Sequence, residues 1–390
     1  MTGARDLSTA AAQRGDVYRR IGVEPIVNAA TTMTYLGGSL MPPEVLDAMR
    51  EAAESFVDMY ELQAAVGRRI AELTSNEAAF VSGGAAAGLF LSAAVCMARD
   101  TEDGILRPAE LDGLPRDFII HRRHRIPYDS AIELAGGRLV EIGSETQTTE
   151  ADLAGAIGRE TAGILFVAGA HLADGALPLE AVVRVAVRSD IPVIVDAAAQ
   201  LPPVENLWAF GAAGADLVLF SGGKGLCGPA STGLVLGPRR YVERFERNAA
   251  PRQRIGRPMK VGKEDLIGIL AAVEWHLRQD HEALADRYEA MVEHVVGWGR
   301  DRPDVTVTRE TPGQAGQPTP RALIRLHPPI AGRRDEVLGA LRGGPPRVEL
   351  LAEGEDALFF APETLVPGEE AVVTRRLGAV LDEIAPARQR

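Results

Sequence analysis

Short apolar runs recur along the middle of this chain, separated by stretches with helical spacing. AAFVSGGAAAGLFLSAAVCMA, from residue 78, reads as a strand, a glycine turn and an apolar helix. After it come DFIIH (117–121), GRLVEIG (137–143), AGILFVAG (162–169), IPVIVDAAA (191–199), ADLVLFSGG (215–223) and TGLVLGP (232–238). The spacing in EADLAGAIGRE and LEAVVRVAVRS predicts helices between them. Strands that are apolar on both faces and alternate with helices predict an α/β fold, a mostly parallel sheet covered by helices.

Upstream, GVEPIVNAATTMTYLGGSLMPPEV (22–45) is irregular. Pro42 and Pro43 then open a helical pattern running through EVLDAMREAAESFVDMYELQAAVGRRIAELT. Downstream, KEDLIGILAAVEWHLRQDHEALADRYEAMVEHVVGWG predicts one long helical stretch ending at Gly299. The remainder holds VTVTRE, RALIRLHPP, RVELLAEG and DALFFAP, then the helix VVTRRLGAVLDEIA, the content of a small α+β domain. PGQAGQPTP (312–320) reads as a plain loop. The 390 residues thus divide into a tail and irregular segment (1–45), a large domain (46–295) and a small α+β domain (296–390).

Composition narrows the function. The formal charge of −12 argues against a general affinity for nucleic acid. No apolar run is long enough for a membrane span, and MTGARDLSTAAAQRGD lacks the apolar stretch of a secretory signal, so it reads as a loose tail or first helix. Cys96 and Cys227 lie far apart and resemble neither a disulfide framework nor a metal site, so cytoplasm is the simplest compartment. Lysine is scarce: Lys224, Lys260 and Lys263 stand against 39 arginines. An ammonium can shed its proton and attack a carbonyl, whereas a guanidinium essentially never does.

Candidate chemistry gathers where strands end, since ligands of open α/β sheets bind beyond the carboxyl ends of strands. SGGAAAG (82–88) offers backbone N–H groups at a helix start, suited to a phosphate or simply to tight packing. Asp196 follows IPVIV directly and needs a cationic or hydrogen-bonding partner: a metal, a protonated heterocyclic nitrogen, or only the helix it would cap. Lys224 follows the next strand among Gly222, Gly223 and Gly225, with Ser221 and Thr232 supplying hydroxyls. Burial there would lower its pKa and favour imine formation. His124, in HRRHRIPYD, can stack on a planar ring or move protons, and Arg125 beside it can meet phosphate or carboxylate. His171, in GAHLADG, is a further candidate. A phosphate cup, a carboxylate and a lysine are together the contacts that pyridoxal 5′-phosphate needs.

Seven stretches carry a resemblance: NAATTMTYLGGSLMPPEV, FVDMYELQAAVGRRIAELT, VSGGAAAGL, HRIPYDSAI, VDAAAQLPP, FSGGKGLCGP and IGRPMKVGKED, over roughly residues 20–270. They resemble the fold-type I pyridoxal-phosphate enzymes, within the group of D-glucosaminate-6-phosphate ammonia lyase and selenocysteine synthase. The resemblance implies that Lys224 is the Schiff-base lysine and proton shuttle, that Asp196 holds the pyridine nitrogen protonated and that His124 stacks on the ring. It places the phosphate on Gly84, Ala85 and Ser221, with Thr232 from a neighbouring subunit, and so implies a homo-oligomer, at least a dimer. Arg257 and Lys260 would meet the substrate, with Arg325 a carboxylate contact from the small domain. Ala30, Gly83 and Cys227 depart from the group's pattern. The reaction implied is elimination from an amino acid or amino-sugar acid, giving a 2-keto acid and ammonia. Racemisation, transamination and a non-catalytic scaffold are the alternatives.

Overall fold

The computed structural model describes residues 15–101, 103–107 and 111–385. The tail or first helix expected at 1–14 lies outside them. The strands are, in chain order, β1 (Ile26–Asn28), β2 (Ala78–Ser82), β3 (Asp117–His121), β4 (Arg138–Ile142), β5 (Thr161–Val167), β6 (Val193–Asp196), β7 (Leu217–Ser221), β8 (Gly233–Gly237), β9 (Val305–Glu310), β10 (Arg321–Leu326), β11 (Arg347–Glu349), β12 (Leu351–Glu353) and β13 (Ala357–Phe360). By contacts the chain forms two compact units. The larger holds Gly37–His281 and Gln314–Pro318; the smaller holds the chain up to Leu36, Glu282–Gly313 and the chain from Thr319 onward.

In the larger unit, seven strands run in the order β2-β8-β7-β6-β5-β3-β4. β3 to β7 pair in parallel, while β8 runs antiparallel between β2 and β7. Alternation explains the all-apolar strands. Val218 and Phe220 of β7 join Val193 and Val195 of β6 in the core on one face, and Leu217, Leu219 and Ile194 join the core on the other. This is the sheet that the apolar runs predict.

Both long helical stretches are helical, each with one break. The pattern after Pro43 is not one helix but two, Pro43–Ala53 and Met59–Leu73, because Asp58 accepts from the N–H groups of Tyr60 and Glu61 and restarts the helix. The long stretch ending near Gly299 is likewise two helices, Lys263–Leu277 and His281–Arg300. In both, the hydrophobic spacing continues across the break and conceals it.

The smaller unit has a four-stranded antiparallel sheet, β12-β13-β10-β9, and a separate parallel pair, β1 with β11. Its core includes Ile324, Phe360, Val373 and Leu377, the last two from the final helix Glu369–Ile384. Ala30 is fully buried in this unit's N-terminal segment. Among the described residues no helix is long and apolar enough to cross a membrane.

Candidate active site

Three strand ends define the site. Asp196 closes β6, Ser221 closes β7 and Ser82 closes β2; β6 pairs in parallel with β7, and β2 runs the same way through the antiparallel β8 between them. Polar residues at these positions therefore meet along one sheet edge, as ligand sites of this architecture do. Lys224 stands three residues past Ser221, at the start of a turn closed by the Cys227 N–H donating to the Lys224 carbonyl at 2.9 Å. The loop lies flat on its neighbours: a Cβ on Gly225 would fall 2.4 Å from the Leu201 carbonyl oxygen. Only glycine permits that approach.

Burial lowers the Lys224 amine, and the Asp196 carboxylate opposes that shift. Burial raises the Asp196 carboxyl, opposed by the Ala198 N–H and then by Lys224. The Ala198 N–H donates to Oδ1 of Asp196 at 3.0 Å. Each group thus favours the charged form of the other within a setting that disfavours both charges. The Lys224 Nζ lies 5.9 Å from the centroid of the Tyr128 ring. Lys263, by contrast, donates to the Ala52 carbonyl and to Glu264.

The glycine turn after β2 forms the second part. Gly84 has φ +104° and starts the 13-residue helix Ala85–Met97, whose first turn has neither an acidic residue nor a side-chain cap. A Cβ on Gly84 would meet nothing within 4 Å, so open space lies over the turn. The helix start presents N–H groups to that space and favours negative charge there. Gly233 ties the turn to the lysine side: it pairs with Ser82 and with Ser221, and a Cβ on it would lie 2.5 Å from the Gly84 carbonyl carbon. Gly83, one of the departures, has a structural reason, since a Cβ there would approach the Met259 carbonyl to 2.9 Å. An anion cup, a half-buried amine and a carboxylate that interacts with it fit pyridoxal 5′-phosphate.

The other candidates are placed as follows. His124 is buried, with its Nδ1 accepting the Val167 N–H at 3.3 Å, and burial pushes its pKa down to about 3. Its ring packs on His121, centroids 4.6 Å apart, and edge-on against Phe166. His121 is pushed down to about 4 by burial, and neither of its ring nitrogens has a hydrogen-bond partner among the described residues. Arg125 is not left open to an anion: its Nε donates to Asp129 at 2.6 Å and its guanidinium also pairs with Glu141. The Thr232 hydroxyl donates to the Pro229 carbonyl and is fully buried. Arg257 has a buried Nε without a hydrogen-bond partner among the described residues, and with Arg254 and Lys260 it lines an open groove of about 650 Å³. His171 is exposed, close to Gly169 and Gly316. Arg325 is exposed on β10, in the smaller unit.

Sequence reasoning passed over Tyr128, although it lies inside the motif HRIPYDSAI. It also passed over the loop Gln314–Pro318. Gln200, four residues past Asp196, donates through Nε2 to the Ala315 carbonyl at 2.8 Å, and a Cβ on Gly169 would lie 2.9 Å from that same oxygen. Gly169 follows β5 and Ala168 N–H donates to the Asp196 carbonyl, so the loop walls the sheet edge beside Asp196. No local pattern foretells a contact between residues more than a hundred positions apart.

Fold and site together define a class, the pyridoxal-phosphate enzymes of fold type I. Within it, the chain belongs to the L-seryl-tRNA selenium transferase family, which it matches over residues 26–287. It is 30% identical to D-glucosaminate-6-phosphate ammonia lyase of Salmonella typhimurium, over 95% of this chain and 99% of that protein. It is 34% identical to a 5′-C-glycyluridine monooxygenase-decarboxylase of a Streptomyces species, over 94% of this chain and 92% of that protein. A solved structure of D-glucosaminate-6-phosphate ammonia-lyase superposes with a TM-score of 0.81 at 28% identity, covering 95% of this chain and 99% of that one.

Proposed function

We propose that the protein is a pyridoxal-phosphate lyase that removes the Cα proton of an amino acid or amino-sugar acid and expels a β-hydroxyl, yielding a 2-keto acid and ammonia. The observation that carries this reading is the half-buried Lys224 amine, just past the end of one strand and close enough to the Asp196 carboxylate at the end of the adjacent strand for their charges to interact. Bound covalently at Lys224, pyridoxal 5′-phosphate supplies an electron sink for charge developing at Cα. Asp196 keeps a proton on the ring nitrogen, which its ionised form favours. Lys224, once released, takes the Cα proton, a task suited to an amine whose pKa burial has lowered. Gly84, Ala85 and Ser221 hold the phosphate, and the neutral, fixed ring of His124 packs at the cofactor's face. Arg257 and Lys260, which have no carboxylate partner among the described residues, meet anionic groups of the substrate. The working form is at least a dimer in the cytoplasm, acting on a small molecule.

The likeness to a monooxygenase-decarboxylase supports a second reading, in which dioxygen is consumed and the bond broken at Cα is the one to the carboxylate. A panel of amino acids and amino-sugar acids separates the two. Ammonia with 2-keto acid under anaerobic conditions supports elimination. Turnover that stops without dioxygen and releases carbon dioxide overturns it in favour of the second reading.

A further inference from the structure

Two groups act on a positive charge at Lys224. One is the Asp196 carboxylate, which favours the ammonium. In the reading proposed above that carboxylate serves the cofactor's ring nitrogen, so it is committed when Lys224 takes the Cα proton. The other is an aromatic face: the Lys224 Nζ stands over the Tyr128 ring, 5.9 Å from its centroid. A cation within about 6 Å of a ring centroid is attracted by the negative face of the ring. No hydrogen bond reaches the ammonium among the described residues. The ring is not placed there by burial, since Tyr128 is 55% exposed. A braced turn sets its position instead. Pro127 fixes the backbone where the turn Pro127–Asp129 begins. The buried Asp129 accepts the Ile126 N–H at 3.1 Å and returns its own N–H to the Ile126 carbonyl at 3.0 Å; the Ser130 hydroxyl donates to the Pro127 carbonyl at 2.9 Å. A tyrosine on such a turn has only two side-chain torsions left to order, so its ring makes a stiff wall.

We propose that Tyr128 is a catalytic residue whose ring face carries the Lys224 ammonium at the moment the amine has taken the Cα proton. The proposal rests on the reading that Lys224 is that base. The proton leaves Cα for Nζ while the electron pair of the C–H bond stays with the substrate, so the positive charge created is the one the ring meets. A neutral amine gains nothing comparable from the ring. Tyr128 therefore strengthens the base selectively, against the burial that weakens it. On this account the phenol hydroxyl is dispensable and the ring face is not.

The scarcity of lysine makes a direct test practical. In the full-length protein freed of cofactor, reductive ¹³C-methylation labels the three lysines, replacing each in turn assigns the signals, and the Lys224 signal is titrated with pH. Tyr128→Leu keeps a cover near the amine but has no negative face. In it Lys224 should titrate about half a pH unit lower, about a threefold loss of proton affinity. Tyr128→Phe should stay within about 0.2 pH unit of the unmutated protein. Pentafluorophenylalanine at the same position has the shape of Phe with the ring charge pattern reversed, and should shift Lys224 at least as far as Leu does. In the loaded protein, α-proton exchange should fall about threefold in Tyr128→Leu and recover in Tyr128→Phe. A Lys224 titration that is unchanged or raised in folded Tyr128→Leu overturns the proposal, because removing a mere cover wets the amine and raises its pKa. If the Leu variant does not fold, the Phe and pentafluorophenylalanine proteins decide, and equal titration of the two overturns it. A borohydride-trapped adduct on Lys260 or Lys263 in the unmutated protein instead removes Lys224 as the base while leaving the titrations as found, so the two failures are distinguishable.

Discussion

Two loops leave the same edge of the large sheet, and the structure treats their cations differently. The loop after β3 carries Arg122, Arg123 and Arg125, and each is engaged: Arg122 and Arg125 pair with Glu141, Arg125 also with Asp129, and Arg123 donates to the His171 carbonyl. The loop after β7 carries Lys224, which is half-buried and has no hydrogen bond to its ammonium among the described residues. A cation paired with carboxylates or with a backbone carbonyl acts as structural glue. One partly withdrawn from water loses its proton more readily, a shift that the nearby carboxylate only partly offsets. The lesson is that positive charge near a site says little until its partners are known.

The largest test of this contrast replaces Lys224 with Ala. Exchange of the substrate α-proton with solvent deuterium, followed by mass spectrometry, should fall by about 10,000-fold or more. Lys263→Ala should leave the borohydride adduct on Lys224. Next, Asp196→Ala should lower the exchange rate by about 100- to 1,000-fold with the circular dichroism spectrum unchanged. Equal exchange in both proteins would remove the ring-nitrogen role.

A smaller effect concerns His121, under the arginine loop. Its folded pKa of about 4 lies below the value of about 6.5 expected in an unfolded chain. Between those values the unfolded chain binds more protons, so stability falls as pH falls, by up to about 1.4 kcal/mol per pH unit from this group. His121→Phe should flatten the decline of the urea midpoint between pH 6.5 and pH 4.5; an unaltered slope would contradict the assignment. The smallest effect is expected of Arg125→Ala. It should change α-proton exchange less than about threefold while costing about 1 kcal/mol of stability in urea, because it strips a partner from the buried Asp129. A loss near that of Asp196→Ala would erase the distinction between the two loops.

Much of this was readable in advance. Strands buried on both faces announce themselves as unbroken apolar runs, and Asp196 and Lys224 stand out because they end such runs. What stayed hidden depends on distant partners or on local competition. The helix break at Asp58 is signalled only by a capping carboxylate within a continuing hydrophobic rhythm. The occupation of Arg125 by Asp129 and Glu141 cannot be read from HRRHRIPYD, where three arginines look equally available.

The loop Gln314–Pro318 lies between β9 and β10 in the chain but packs with the larger unit, and Gly316, at φ +85°, would bring a Cβ to 2.4 Å from the Ala170 nitrogen. A fragment cut after His281 would therefore keep the lysine, the carboxylate and the cup, yet lose the loop that packs on Gln200 and Gly169 beside Asp196. Anyone grafting this catalytic half onto another partner inherits that debt, and a five-residue peptide supplied in trans is the least that could settle it.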